Sequence, residues 1–209
     1  MALENIENII FDLGGVVIDI NPQQSFDALG SYIKGKENGI ELLNENVDIF
    51  LNLEKGLISV EEFYEGIRSI TNNSSLSDVA IADAWNLMLL HIPSERLQIL
   101  ERLRANYQTY VLSNTNAIHV PAFNKIVEKN SGKHGIDHFF DKVYFSHDLQ
   151  MRKPEPEIYQ YVIDDSQLNV GATLFIDDRL ENLEAAAALG LQTYHVQPER
   201  GIVELFANA

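Results

Sequence analysis

Five short, almost continuously apolar runs punctuate the chain: NIIF (8–11), TYVLSN (109–114), KVYFSH (142–147), TLFIDD (173–178) and LQTYHV (191–196). They lack the apolar–polar alternation of a half-solvated strand, so they predict strands covered on both faces. Helical patterns lie between them. SERLQILERLR follows Pro93 with Ser94 as its N-cap, PEPEIYQYVIDD has proline in its first turn, and RLENLEAAAALG stops at Gly190. Strands alternating with helices predict βαβ units, hence an α/β fold with a Rossmann-like, doubly wound, mainly parallel sheet. In such a sheet ligands bind beyond the carboxyl ends of the strands.

Residues 19–92 break this rhythm. They hold no apolar strand but several helical stretches, FDALGSYI, IELLNENVDIFLNLEKG and VEEFYEGIRSI. Ser59 and Glu62 have capping-box spacing, and TNNSSLSD (71–78) reads as a connection between helices. The expected organisation is a core domain of residues 1–18 and 93–209 and an α-helical cap subdomain of residues 19–92 above the sheet's ligand edge. Fifteen Lys and Arg against 31 Asp and Glu give a net charge of −16. That repels nucleic-acid backbones and anionic membrane surfaces, while a small phosphorylated molecule responds to the local field of one pocket. There are no cysteines, so disulfides, thiolate metal sites and cysteine nucleophiles are excluded. MALENIEN lacks a basic n-region and no apolar run reaches spanning length, which sets a cytoplasmic expectation. Oligomeric state is not legible.

Polar residues cluster where the strands end. Asp12 precedes Gly14 and Gly15; Ser113 and Asn114 close the second run; Lys153 sits in MRKPEPE; Asp177 and Asp178 close the fourth. Each has a plain structural explanation. Asp12 before glycines suits a turn. Ser113 and Asn114 suit helix N-caps, although a hydroxyl beside a helix N-terminus also binds anions. Lys153 suits a solvated loop. Asp178 with Glu181 suits the start of the next helix, yet two adjacent carboxylates repel each other unless a cation is near.

The ordered set FDLGGV, VLSNTN, RKPEPEIY and FIDDRLENLEAA resembles the haloacid dehalogenase (HAD) superfamily over almost the whole chain. It is most similar to the branch of small sugar-phosphate phosphatases of the α-D-glucose-1-phosphatase type, with a helical cap inserted after the first strand. That resemblance implies a phosphoric monoester hydrolase using Mg²⁺ on a small phosphorylated metabolite, an anomeric sugar phosphate among the candidates. Asp12 would be the nucleophile that forms an aspartyl-phosphate. The ion would take Asp12, the backbone carbonyl of Gly14 and Asp178, with Asp177 acting through water or by holding Lys153. Ser113, Asn114 and Lys153 would bind the phosphate.

Gly14 departs from the pattern, because most phosphatases of this superfamily carry there an aspartate that protonates the leaving oxygen. General acid catalysis contributes about 10²–10⁴-fold, so the loss matters for an ordinary alcohol leaving group. Either the leaving group is comparatively acidic, or another side chain supplies the proton, with His119 or a cap residue as candidates. A solvated helix histidine is the competing reading of His119. Trp85 reads as core, Phe63 and Tyr64 fit a buried cap helix as well as a substrate wall, and Asp19 and Asn21 fit substrate contact as well as turn chemistry before Pro22. Two other functions fit the resemblance: a metal-independent 2-haloacid dehalogenase, which also lacks the second aspartate, and a catalytically weak ligand-binding member. The Asp177–Asp178 pair favours the metal-dependent phosphatase.

Overall fold

The structure, a computed structural model, describes residues 5–33, 39–197 and 201–207. The five apolar runs form β1 (Asn8–Phe11), β2 (Gln108–Ser113), β3 (Lys142–Phe145), β4 (Thr173–Asp177) and β5 (Gln192–His195). They pair in one parallel sheet of order β3-β2-β1-β4-β5. The order reverses between β1 and β4, and a crevice opens there at the carboxyl ends of the strands. Asp12 directly follows β1 and Asp177 ends β4, so both lie on that crevice.

Alternate residues of the central strands face opposite layers. Ile9, Phe11, Val111, Leu174 and Ile176 pack with α6 (Ser94–Leu103), α7 (His119–Ser131) and α11 (Ile202–Leu205). Ile10, Tyr110, Leu112 and Phe175 pack with α9 (Pro156–Asp165) and α10 (Leu180–Ala188). Burial on both faces is why these runs show no alternation. The third expected strand is shorter than its apolar run, because Ser146 opens a one-turn helix, α8 (Ser146–Leu149). Pro93, rather than Ser94, is the cap residue of α6.

Between β1 and β2 the chain forms α1 (Pro22–Ser31), α2 (Gly39–Glu45), α3 (Val47–Glu54), α4 (Val60–Thr71) and α5 (Asp78–Asn86). These helices have a core of their own, in which Phe50, Phe63 and Trp85 meet at ring centroid separations of 5.0–5.8 Å. The capping box forms: Ser59 Oγ accepts from Glu62 N, and Glu62 Oε2 accepts from Ser59 N at 2.7 Å. The segments entering and leaving this helical unit are zipped together, with Ile20 bridging Leu89 in antiparallel fashion. Asp19 N donates to His91 O, and Leu90 N donates to Asp19 O, both at 2.9 Å. Among the described residues no helix is long and apolar enough to cross a membrane.

Candidate active site

Asp12 is pinned by its own backbone, whose N–H donates to Ile176 O of β4 at 2.9 Å. The next turn folds back so that Gly15 N donates to Ile18 O. Gly15 has φ +75°, and a Cβ there would collide with the Asp178 carboxylate. The second glycine of the motif thus lets the β1 and β4 loops approach each other.

Lys153 is the centre of the site. It is 1% exposed, where a loop lysine is ordinarily solvated, and Nζ lies 2.9 Å from Asp12 Oδ1 and 2.7 Å from Asp177 Oδ2. Its loop is held by Asn114, which donates from Nδ2 to Lys153 O and accepts at Oδ1 from Lys153 N, each at 2.9 Å. Asn114 therefore positions the lysine and spends both ends of its amide doing so. Neither Ser113 nor Asn114 caps α7; Asn116 Oδ1 accepts from Ile118 N and His119 N instead. Ser113 is the buried last residue of β2, whose backbone pairs with Phe145.

Asp177 is wholly buried and fully bonded, receiving Lys153 Nζ, Arg179 N at 2.9 Å and Asn182 Nδ2 at 3.0 and 3.1 Å. Its geometry matches the role of holding Lys153. Carboxylate oxygens of Asp12, Asp177 and Asp178 lie within 4.8 Å of one another. Burial, then the neighbouring Asp177 and Asp178 charges, push the Asp12 carboxyl up to about 7 despite the ammonium beside it. Burial and Asp177 raise Asp178 in the same way. Burial opposes charge on Lys153, but Asp12 and Asp177 outweigh it and hold its pKa above the ordinary lysine value. Three crowded carboxylates with one lysine leave negative charge uncompensated, the electrostatic condition that a hard divalent cation with oxygen ligands satisfies. The residues present fit Mg²⁺, with Asp12 and Asp178 the ones not already saturated.

A cavity of about 470 Å³ leads from Asp12, Gly14, Lys153 and Asp178 to the helical unit. Phe26, Phe50 and Trp85 form an aromatic wall, and Glu54, Arg152 and His119 bring polar groups to it. Of these, the sequence reads Trp85 as core, where it does pack, and gives no sign of a role for Glu54 or Arg152. LEKG and MRKP carry them, but only the fold shows that Arg152 Nη2 meets Glu54 Oε2 at 3.2 Å across 98 residues. His119 is not the solvated histidine that the sequence allowed. It is 6% exposed, stacks on Trp85 and has Nδ1 2.9 Å from Asn86 Oδ1, while Nε2 has no partner. Burial without a carboxylate drives its pKa down to about 3, so at neutral pH it carries no ionisable proton to donate.

Comparison with known proteins agrees with this geometry. Residues 6–190 match the haloacid dehalogenase-like hydrolase family. The chain is 32% identical over 199 residues to D-ribitol-5-phosphate phosphatase of Bacteroides thetaiotaomicron, covering 94% of this chain and 93% of that protein. It is 28% identical to a sesquiterpene phosphatase of Aspergillus oryzae, over 90% and 88% of the two chains. A family enzyme of Bacteroides thetaiotaomicron, solved with magnesium and inorganic phosphate, superposes with a TM-score of 0.85 at 36% identity, over 96% and 99% of the two chains.

Proposed function

The chain belongs to the haloacid dehalogenase-like hydrolases, and we propose that it is a Mg²⁺-dependent phosphatase of a small sugar or polyol phosphate, acting through an aspartyl-phosphate on Asp12. The observation that carries this reading is the buried lysine bridging Asp12 and Asp177 beside a third carboxylate, Asp178. A carboxylate attacking a phosphate dianion meets strong repulsion, and this arrangement supplies one fixed cation and a place for a second. Asp12, Asp178 and the Gly14 carbonyl would hold Mg²⁺, which would supply charge neutralisation for the phosphate.

The chain's own residues divide the remaining work. Asp12 attacks phosphorus, with Lys153 Nζ held 2.9 Å from its Oδ1. Lys153 neutralises charge between nucleophile and phosphoryl group; Asp177, Asn182 and Asn114 fix where it stands. Ser113, ending β2, contributes to the phosphate cradle. The unit formed by residues 19–92 acts as the cap over residues 1–18 and 93–209 and closes the far side of the cavity. Three side-chain nitrogens of cavity-lining residues, Trp85 Nε1, His119 Nε2 and Arg152 Nε, are buried without a partner. A metal-free dehalogenase site leaves the carboxylate crowd of Asp12, Asp177 and Asp178 to a single lysine. The acidic surface supports no role on nucleic acid, and the cytoplasm is the compartment we assign.

Phosphate release from a panel of sugar, polyol and nucleotide phosphates, with Mg²⁺ and with EDTA, tests the assignment. Turnover on at least one sugar or polyol phosphate, lost in EDTA and restored by Mg²⁺, is expected. Undiminished turnover in EDTA, or by Asp12→Asn, overturns it.

A further inference from the structure

The site has a nucleophile and fixed charges but no evident source for the proton that an alcohol leaving group takes. Position 14 has no side chain. Asp12 and Asp178 are committed to phosphorus and the cation, and Lys153 is charged and tied to two carboxylates. His119 is neutral, and Arg152 and Arg179 are hydrogen-bond donors rather than general acids. Among the described residues that border the cavity, one proton-exchanging group remains unassigned: the carboxyl of Glu54.

We propose that Glu54, carried into the cavity by the helical cap, is the general acid and base of the reaction in place of the carboxylate missing at position 14. The inference rests on the phosphatase reading. Glu54 is the last residue of α3 and its main chain is docked on the core, since its carbonyl accepts from Ser146 Oγ at 2.6 Å. Two residues on, Gly56 at φ +63° packs so closely on the His147 carbonyl that a Cβ would collide with it. Lys55 pairs with Glu155 of the core as well. These contacts fix where the Glu54 carboxyl enters. Arg152 holds Oε2, and among the described residues no hydrogen bond reaches Oε1, so one oxygen is anchored and the other is available to carry a proton. Burial raises the carboxyl's pKa, and the facing Arg152, Arg179 and Lys153 charges only partly offset that.

In the first step the Asp12 oxygen bonds to phosphorus, the bond from phosphorus to the leaving oxygen breaks, and the Glu54 carboxyl gives that oxygen its proton. In the second, the Glu54 carboxylate takes a proton from water as the water oxygen bonds to phosphorus and the Asp12–phosphorus bond breaks. Glu54 ends protonated, Asp12 ends as carboxylate, and phosphate leaves.

Leaving-group dependence tests this. p-Nitrophenolate departs without protonation, whereas the alkoxide of a sugar or polyol phosphate does not. Glu54→Gln is expected to slow single turnover of the best alkyl phosphate by about 10²–10⁴-fold. It should release a burst of one equivalent of p-nitrophenolate from p-nitrophenyl phosphate at the wild-type rate, followed by slow turnover as the aspartyl-phosphate persists. The wild-type fall of kcat/KM as pH rises through the Glu54 pKa should also vanish in the variant. A burst slowed as much as alkyl turnover, or alkyl turnover unchanged, overturns the proposal. Glu54→Asp, which keeps the carboxyl, should retain the burst and lose less alkyl turnover; equal losses in the two variants also overturn it. Failure of the phosphatase reading is distinct, because it shows as wild-type protein with no Mg²⁺-dependent phosphate release.

Discussion

Lys153→Met isolates what the buried lysine does. Methionine is close in volume and keeps the aliphatic stem, so packing against Phe175, whose ring lies 5.4 Å from Nζ, changes little. What is lost is a charge 2.9 Å from Asp12 and 2.7 Å from Asp177, at a side chain 1% exposed. Asp177 retains the Arg179 amide and the Asn182 side chain, while Asp12 loses its strongest compensation. Removing one partner of a buried ion pair costs about 3–5 kcal/mol, because the other charge stays buried. For a domain of this size that is a fall in Tm of about 6–20 °C.

The sign of the pH dependence follows. With Lys153 present the Asp12 pKa already stands at about 7, above its unfolded value. Without the ammonium it moves further up, so the folded variant binds a proton more tightly than the unfolded chain. The variant's stability therefore rises as pH falls below that raised pKa. Thermal unfolding in EDTA should show a larger penalty at pH 8 than at pH 5, and excess Mg²⁺ at pH 8 should recover part of it. A Tm within 2 °C (about 1 kcal/mol or less) of wild type at pH 8, or a penalty that grows on acidification, would refute the reasoning.

Three further outcomes follow from other contacts. Asn114→Ala removes both hydrogen bonds that clasp the Lys153 backbone, so chemical denaturation should register a loss of about 1–3 kcal/mol, and kcat should fall more than KM changes. Gly56→Ala forces a Cβ into a left-handed backbone position against the His147 carbonyl; kcat/KM on the alkyl substrate should drop at least about tenfold, for a loss above about 1.4 kcal/mol in cap docking. Ser59→Ala breaks the exposed capping box of α4, and should cost about 0.5–2 kcal/mol in denaturation while leaving kcat/KM as it was.

The sheet was legible because burial on both faces imprints a continuous apolar run on each strand, and strand ends were then the natural places to look for chemistry. Asp12, Ser113, Lys153 and Asp177 do gather at one edge for that reason. What the residues could not disclose were contacts made across long stretches of chain. Lys153 reads as a solvated loop lysine until Asp12 and Asp177 are seen on either side of it. Ser113 and Asn114 read as caps, but the turn to α7 comes later, where Asn116 Oδ1 accepts from Ile118 N and His119 N. His119 sits where a helix would expose it, and only α5, bringing Trp85 and Asn86 over it, buries it. Glu54 was hidden most completely, since its meaning depends on Arg152 and Ser146, 98 and 92 residues away.

Gly14 and the cap are two sides of one arrangement. A Cβ at position 14 would stand 3.1 Å from Ile20 Cδ1, and Ile20 belongs to the antiparallel pair through which the chain enters and leaves the cap. The space beside the nucleophile that a carboxylate would need is thus crowded by an apolar residue of the cap's own hinge. Under the assignment of Glu54, the proton source has moved from a core loop, where it would be present in every state of the molecule, to a cap helix, where it is present only when the cap is docked. Glu54 then shares the cavity with Phe26, Phe50 and Trp85, the cap residues that border the substrate. Substrate choice and proton delivery become one event, which a core carboxylate at position 14 could not have coupled.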